Sequence, residues 1–338
     1  MSQATQEGNP HLNRNGAHPV RFRDLLHRLF SMGNQNFLRL EFLQTACGAL
    51  LEFIACDLLE VRLEEAGKVY RCRASVGKGV SRFICAGPTL DQEPTLPLEE
   101  DPAGLSLCDQ IMDSVLEGRI LAASPFSTRA GSFWTPDATR PVLLRDRQDG
   151  QARSLLIGGD YPALVFVPVP VDERMRGVLH MGSRKSGAFT REDIHFFETV
   201  GETLGVAIAF QASQWALRER IKELDCLYGI AQAIQRAGDS LEDLLTEIVE
   251  RLPPGWQYPE LTEARILVDD RAIATPGFQE TPWIQEAVLR IGDRVRGKVQ
   301  VAYGREMPLF DEGPFLREER SLIDEVARQV GLALARLA

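Results

Sequence analysis

Histidine is scarce in this 338-residue chain: there are five, and His11, His18 and His27 all lie near the N-terminus. Only His180 and His195 remain as imidazoles for metal binding or proton transfer deeper in the chain. A Gly-rich phosphate loop, a His-Glu-x-x-His helix and a Gly-x-Ser-x-Gly elbow are all missing. No catalytic constellation is left, and the expectation is a noncatalytic protein. The six cysteines, at 47, 56, 72, 85, 108 and 226, form no Cys-x-x-Cys pair and match no zinc spacing. In a reducing cytosol they read as buried thiols acting as small hydrophobes, with no metal implied. Cations are outnumbered, 38 Lys and Arg against 48 Asp and Glu, for a net charge of −10. Phosphate neutralisation needs clustered Lys and Arg, so nucleic acid is not an expected partner. No apolar run approaches the roughly 20 residues of a membrane span. The longest, residues 161–171, is broken by proline, and residues 1–20 lack the apolar core of a signal peptide. A cytoplasmic protein without a membrane partner is expected.

What the chain does contain, it contains twice. Arg176-Gly177-Val178-Leu179-His180-Met181-Gly182 leads through a short loop into Phe189-Thr190-Arg191-Glu192-Asp193, and a helical pattern then reaches Leu204-Gly205. Near the C-terminus, Arg296-Gly297-Lys298-Val299-Gln300-Val301 leads into Phe315-Leu316-Arg317-Glu318-Glu319 and on to Val330-Gly331. The spacing from Phe to the apolar–Gly pair is the same, 189 to 204 and 315 to 330, and the length difference lies in the strand-to-helix loop. Two strand–loop–helix copies predict two related domains.

Around these copies the hydrophobic periodicity predicts helices over residues 20–32, 37–56 and 104–118. Strands are expected at 57–64, 69–74, 81–86, 163–171 and 176–183, with the first two forming a hairpin. Residues 119–162 read as a long irregular segment; its Phe126, Phe133 and Trp134 favour a binding loop over disorder. A helix is expected from residue 190 to about 236. Its apolar positions Phe197, Val200, Leu204 and Ile208, then Leu217, Ile221, Leu224 and Tyr228, keep the near-heptad spacing of a coiled-coil seam. Such a stripe predicts pairing with a second copy of the helix. A helix over 240–252, strands at 262–268, 271–275, 283–291 and 294–303, and a closing helix from 315 complete the pattern. The domain expectation is a disordered tail at 1–19, a first domain at 20–213, a connecting helix at 190–236 overlapping both domains, and a smaller second domain at 237–338.

This element order, with Tyr161-Pro162-Ala163-Leu164-Val165-Phe166-Val167-Pro168-Val169, Gly177-Val178-Leu179-His180-Met181-Gly182-Ser183-Arg184 and Phe189-Thr190-Arg191-Glu192-Asp193, resembles the GAF domain. Tyr70-Arg71-Cys72-Arg73 and Gly131-Ser132-Phe133-Trp134 resemble a subgroup in the sensor regions of bacterial histidine kinases. Leu252-Pro253-Pro254-Gly255-Trp256-Gln257-Tyr258-Pro259-Glu260 and Asp311-Glu312-Gly313-Pro314-Phe315-Leu316 resemble a short GAF-like module of such proteins. The resemblance implies an α+β fold: two GAF-like domains, each an antiparallel sheet with helices, joined by a long signalling helix. It implies a tandem sensory protein with a small-molecule or redox input in the first domain, acting as a homodimer on a downstream signalling protein or output domain. The alternative is a dimeric interaction scaffold with no small-molecule ligand. Cys72, Cys108, Phe126, Ser132, Phe133, Trp134 and His180 are the pocket candidates. His180 is the one strand histidine: if its face lines the pocket it can ligate a haem iron or hydrogen-bond a polar ligand, and the alternative is a satisfied core histidine. No cofactor is named by the sequence.

Overall fold

The computed structural model describes residues 18–33, 39–54, 56–65, 67–77, 80–86, 102–120, 125–145, 152–236, 240–307 and 310–337. Most of the expected 1–19 tail lies outside them. The chain divides into two compact units, Met1–Gln214 and Trp215–Ala338.

In the first unit, helices α1 (His18–Gly33) and α2 (Arg39–Ile54) precede strands β1 (Leu58–Glu65), β2 (Lys68–Gly77) and β3 (Val80–Ala86). Helix α3 (Pro102–Leu116) follows, then β4 (Phe133–Thr135), β5 (Val142–Arg145), β6 (Ala152–Leu155), β7 (Ala163–Pro170) and β8 (Met175–Ser183). The main sheet is antiparallel with strand order β3-β2-β1-β8-β7-β4, and β5 pairs with β6 in a separate ribbon. Strands β4, β5 and β6 fall where an irregular segment is expected. They are three or four residues long, too short for alternation to register.

Helix α2 covers one face of the sheet, against β1, β2 and β3. Helix α3 lies over β7 and β8 on the other. Strand β1 is therefore buried on both faces from Leu58 to Leu63, although its sequence alternates apolar and charged residues. Helix α4 (Arg191–Arg236) begins in this unit. Thr190 and Asp193 form a reciprocal N-terminal cap: Thr190 N–H and Oγ1 donate to Asp193 Oδ2 (2.8 and 2.7 Å), and Asp193 N–H donates back to Thr190 Oγ1 (3.3 Å). Phe197, Val200, Leu204 and Ile208 are buried in the core shared with α2 and the sheet. This corrects the expectation that they face a partner helix, because the unit's own sheet takes up that stripe.

The second unit holds the rest of α4, then α5 (Leu241–Arg251), β9 (Thr262–Val268), β10 (Arg271–Ala274), β11 (Ile284–Ile291), β12 (Arg294–Tyr303) and α6 (Arg317–Leu337). Cys226, Ile230 and Ala233 of α4 lie in its core. Ser240 caps α5 by accepting from Asp243 N–H (3.2 Å). Glu319 caps α6 by accepting from Leu316 N–H (2.7 Å), in the position Asp193 holds on α4. The order β10-β9-β12-β11 repeats the central β2-β1-β8-β7 of the first unit. Here residues 275–283 alone join β10 to β11, whereas residues 78–162, β3 among them, intervene between the matching strands β2 and β7 of the first unit. Strand β9 accordingly alternates buried and half-buried positions. Among the described residues, no helix is long and apolar enough to cross a membrane.

Candidate functional site

The β1–β2 hairpin turns at Gly67, whose φ of +80° favours glycine. Strand alternation then sends Leu59, Val61, Leu63, Cys72 and Ala74 into the α2-side core. Their neighbours Glu60, Arg62, Arg71 and Arg73 belong to the opposite face. Pairing registers place Phe133, Phe166, His180, Glu60, Arg73 and Ile84 opposite one another in sequence across all six strands. One transverse row thus runs from aromatic through imidazole to an ion cluster.

Glu60 is fully buried and held by two guanidinium groups. Arg71 donates to its Oε1 from Nε (2.9 Å) and Nη2 (2.7 Å), and Arg73 Nε donates to Oε2 (2.7 Å). Burial alone would raise the carboxyl, but Arg73 and Arg71, with His180, outweigh it and hold the group at about 2. Two carboxylates from α3 meet this face: Asp109 Oδ1 accepts from Arg71 Nη2 (2.7 Å), and Asp113 Oδ1 lies 2.9 Å from Nη1 of the neighbouring Arg62. Asp109 and Asp113 are one helical turn apart, so both fall on the face of α3 that meets the sheet.

His180 sits beside this cluster and is 1% exposed. Its ring stacks on Phe166, centroids 4.4 Å apart and planes 4° from parallel. Neither Nδ1 nor Nε2 has a hydrogen-bond partner among the described residues. Burial lowers its pKa from 6.5 to about 4, against the pull of Glu60, so the ring is neutral at pH 7. A buried polar atom left unsatisfied costs about 1–3 kcal/mol. His180→Phe keeps the ring stack and removes both orphaned atoms, so unit stability is expected to rise by roughly 1 kcal/mol in chemical denaturation. A loss of similar size would mean that the imidazole has a partner in solution.

Beyond the sheet edge a second carboxylate organises the loop. Glu198, in the second turn of α4, accepts from Thr128 Oγ1 and from Ser132 Oγ (2.8 Å) on Oε1, and His195 Nδ1 lies 3.1 Å from Oε2. Ser132 and His195 therefore meet opposite oxygens of one carboxylate, an anchor for the loop and not a nucleophile–base relay.

The sequence candidates separate accordingly. His180 and Phe133 stand in the row, and Cys108 is buried on α3 in the cluster that includes Phe133, Phe166 and Val178. Burial pushes the Cys108 thiol up to about 12, so it is a packing group and not a nucleophile. Phe126 packs on that cluster and meets Trp134 edge-on, centroids 5.6 Å apart. Ser132 serves the loop anchor. Two expectations are corrected: Trp134 packs toward the α2-side core, and Cys72 is buried in that core. Strand alternation puts each on the face away from His180. Cys72 is moreover joined to Cys85 by a disulfide, which also corrects the reading of all six cysteines as thiols; Cys47, Cys56, Cys108 and Cys226 are free and buried. Glu60, Arg62, Arg71, Arg73, Asp109, Asp113 and Glu198 were not expected. For the four on the hairpin the one sequence signal is the alternation of charged with apolar residues along both strands, which reads equally well as a solvated face; Asp109 and Asp113 on α3 and Glu198 on α4 carry no such signal. No group of three or more metal-ligating side chains occurs among the described residues.

No curated protein matches this sequence. Among solved structures the chain is similar to a bacteriophytochrome from the photosynthetic bacterium R. palustris, at 12% identity and a TM-score of 0.47, covering 96% of this chain and 77% of that one. The family model for the GAF domain matches residues 41–209, half of the sequence, which is the segment carrying the row, its helical roof and the loop anchor, and the chain belongs to that family.

Proposed function

We propose that this chain is a noncatalytic, cytoplasmic sensory protein whose first unit takes up a small molecule on the His180 face and whose α4 helices pair in a homodimer to pass the change on. GAF membership supports a sensory or signalling role in general. One observation carries the input: a fully buried neutral imidazole with both ring nitrogens unpartnered, between an aromatic ring and an ion cluster. A ligand that donates to one nitrogen and accepts from the other replaces two deficits with two hydrogen bonds. It acts as a signal only by favouring one of two states of the unit. The roof helix α3, held by Arg71 and Arg62, and the loop held by Glu198 are the elements it would move, and the second of these ends on α4.

The dimer reading rests on the second half of α4. Leu217, Ile221, Leu224 and Tyr228 are 54, 49, 64 and 65% exposed and keep the 4-3-4 spacing of a coiled-coil seam. With the shared strand order, the second unit is read as a smaller GAF-like module in tandem, as in histidine-kinase sensor regions. It lacks the inserted segment that roofs the first sheet, and it would hand the change to a downstream protein or output domain. A double substitution, Ile221→Glu with Leu224→Glu, is expected to weaken self-association at least tenfold in sedimentation equilibrium and leave each unit folded. A wild-type protein that stays monomeric would sink this part.

A second reading has its own support. Asp109 and Asp113 already occupy the guanidinium groups, which suits a closed face in a dimeric scaffold without a ligand. Native mass spectrometry of the purified chain separates the two. The sensor reading expects a dimer with a discrete extra mass that disappears in His180→Phe. A bare dimer whose thermal midpoint no small-molecule panel shifts favours the scaffold.

A further inference from the structure

We propose that Cys72 and Cys85 form a reversible thiol–disulfide site, exchanging with a low-molecular-weight thiol of the glutathione class, that sets how firmly the edge strand β3 is held. The site lies on the opposite face of the sheet from His180 and stands independently of any ligand there.

Register and position carry the case. Cys72 and Cys85 are direct cross-strand partners on β2 and β3, joined by a disulfide with Cα atoms 4.1 Å apart. Strand β3 is the outermost strand of its sheet. Cys72 is fully buried, whereas Cys85 is half-buried at the margin of the α2-side core, so of the two cysteines Cys85 is the one a dissolved thiol would approach. The free cysteines do not compete, since Cys47, Cys56, Cys108 and Cys226 are all buried and burial pushes each thiol up.

The exchange balances with two equivalents of the small thiol. The first thiolate attacks Cys85 Sγ, forming a mixed disulfide, and Cys72 Sγ leaves with the electron pair and takes up a proton. The second attacks the small molecule's sulfur in that mixed disulfide, releasing Cys85 as a thiol and the small molecule as its own disulfide. Two electrons and two protons pass to the protein, and the disulfide form of the small molecule drives the reverse.

The consequence is local. Cys72 lies between Arg71 and Arg73, the residues that clamp Glu60 from the other face, and its carbonyl accepts from Cys47 Sγ of α2 (3.5 Å). Opening the bond leaves β3 attached by strand pairing and by the contact of Phe83 with α2 beside Gly48.

The test uses the full chain equilibrated in glutathione buffers of varied ratio, acid-quenched, denatured, alkylated and weighed intact. Four alkylations are expected in oxidising buffer and six in reducing buffer, with one reversible transition that Cys85→Ser abolishes. Hydrogen exchange should then show the amides of residues 80–86 opening at least several-fold faster in the reduced protein, with α2 and β8 unchanged. Six alkylations in every buffer, or four until the protein is unfolded, overturns the exchange site. Identical exchange of residues 80–86 in both forms overturns its control of the edge.

Discussion

Glu60→Ala is expected to destabilise the first unit by about 3–5 kcal/mol, because it takes away the carboxylate paired with Arg73 and leaves Arg71 to Asp109 alone. Arg71 and Arg73 keep only 8 and 15% of their side-chain surface in water, so solvent replaces little of what the carboxylate supplies. In calorimetry this corresponds to a fall of roughly 10 °C in the first unit's transition. The second unit's transition serves as the internal reference. A loss below about 1 kcal/mol would place the pair in the class of solvated surface bridges and remove the ion cluster from the site.

The same residue fixes an acid dependence. With a folded pKa of about 2 against 4.5, Glu60 contributes stability in full above pH 4.5 and loses it as pH falls toward 2. His180 is also depressed, to about 4 from 6.5, so its contribution is complete above pH 6.5 and drains away between 6.5 and 4. Urea midpoints measured from pH 8 to 3 should therefore fall in two stages. His180→Phe should remove the upper stage alone. Retention of that stage in His180→Phe would assign it to another group.

Gly205→Ala and Gly331→Ala are each expected to destabilise their own unit, at the upper end of the roughly 1–3 kcal/mol range for overpacking. A Cβ on Gly205 would lie 1.9 Å from the Pro170 carbonyl oxygen, and one on Gly331 would lie 2.1 Å from that of Arg290. Both obstacles are backbone atoms at the ends of strands that start a hairpin, β7 and β11, so no rotamer change relieves them. The gain of about 1 kcal/mol in helix propensity offsets only part of the cost. Gly48→Ala is the control. In α2 its nearest neighbour is the Phe83 ring at 3.4 Å, so that substitution should be neutral or stabilising. Neutral outcomes at both 205 and 331 would mean that the closing helices do not ride directly on the strand ends.

Those two glycines show how much of the fold is legible in one dimension. Their equal distance from Phe189 and Phe315 encodes a helix that starts at a cap and touches a strand end four turns later. Both events depend on residues close in sequence. Phe189 is buried against Phe197, and Phe315 stacks on Tyr303, at matching points in the two units. The second strand of each copy follows the same logic: a Cβ on Gly177 would meet Leu63, and one on Gly297 the carbonyl of Leu267.

The site was legible in its aromatic and imidazole half only. His180 stands out as the one strand histidine of a histidine-poor chain, and Phe133 as part of an aromatic cluster in a long segment. Trp134 and Cys72 were misplaced because identifying a strand does not say which of its two faces a given residue takes, and one residue of offset exchanges the faces. The stripe on α4 divided for a similar reason. Its spacing is uniform, but Phe197 to Ile208 meet the unit's own sheet, while Leu217 to Tyr228 stay exposed.

By itself, then, the sequence determined the repeat, the helix caps, the hairpin turns and the glycines that let backbones touch. Each is set by a handful of neighbouring residues and a fixed helical or strand period. Only the tertiary structure decided that Glu60, Arg62 and Arg71 are buried, because α3, more than thirty residues farther along the chain, covers an alternating strand that would otherwise face water. The second unit shows the other outcome: without that insertion, β9 keeps a half-exposed outer face and its Arg265 pairs with Glu280 at the surface. Charge on a strand specifies only that it must be paired or wet, and a distant segment decides which.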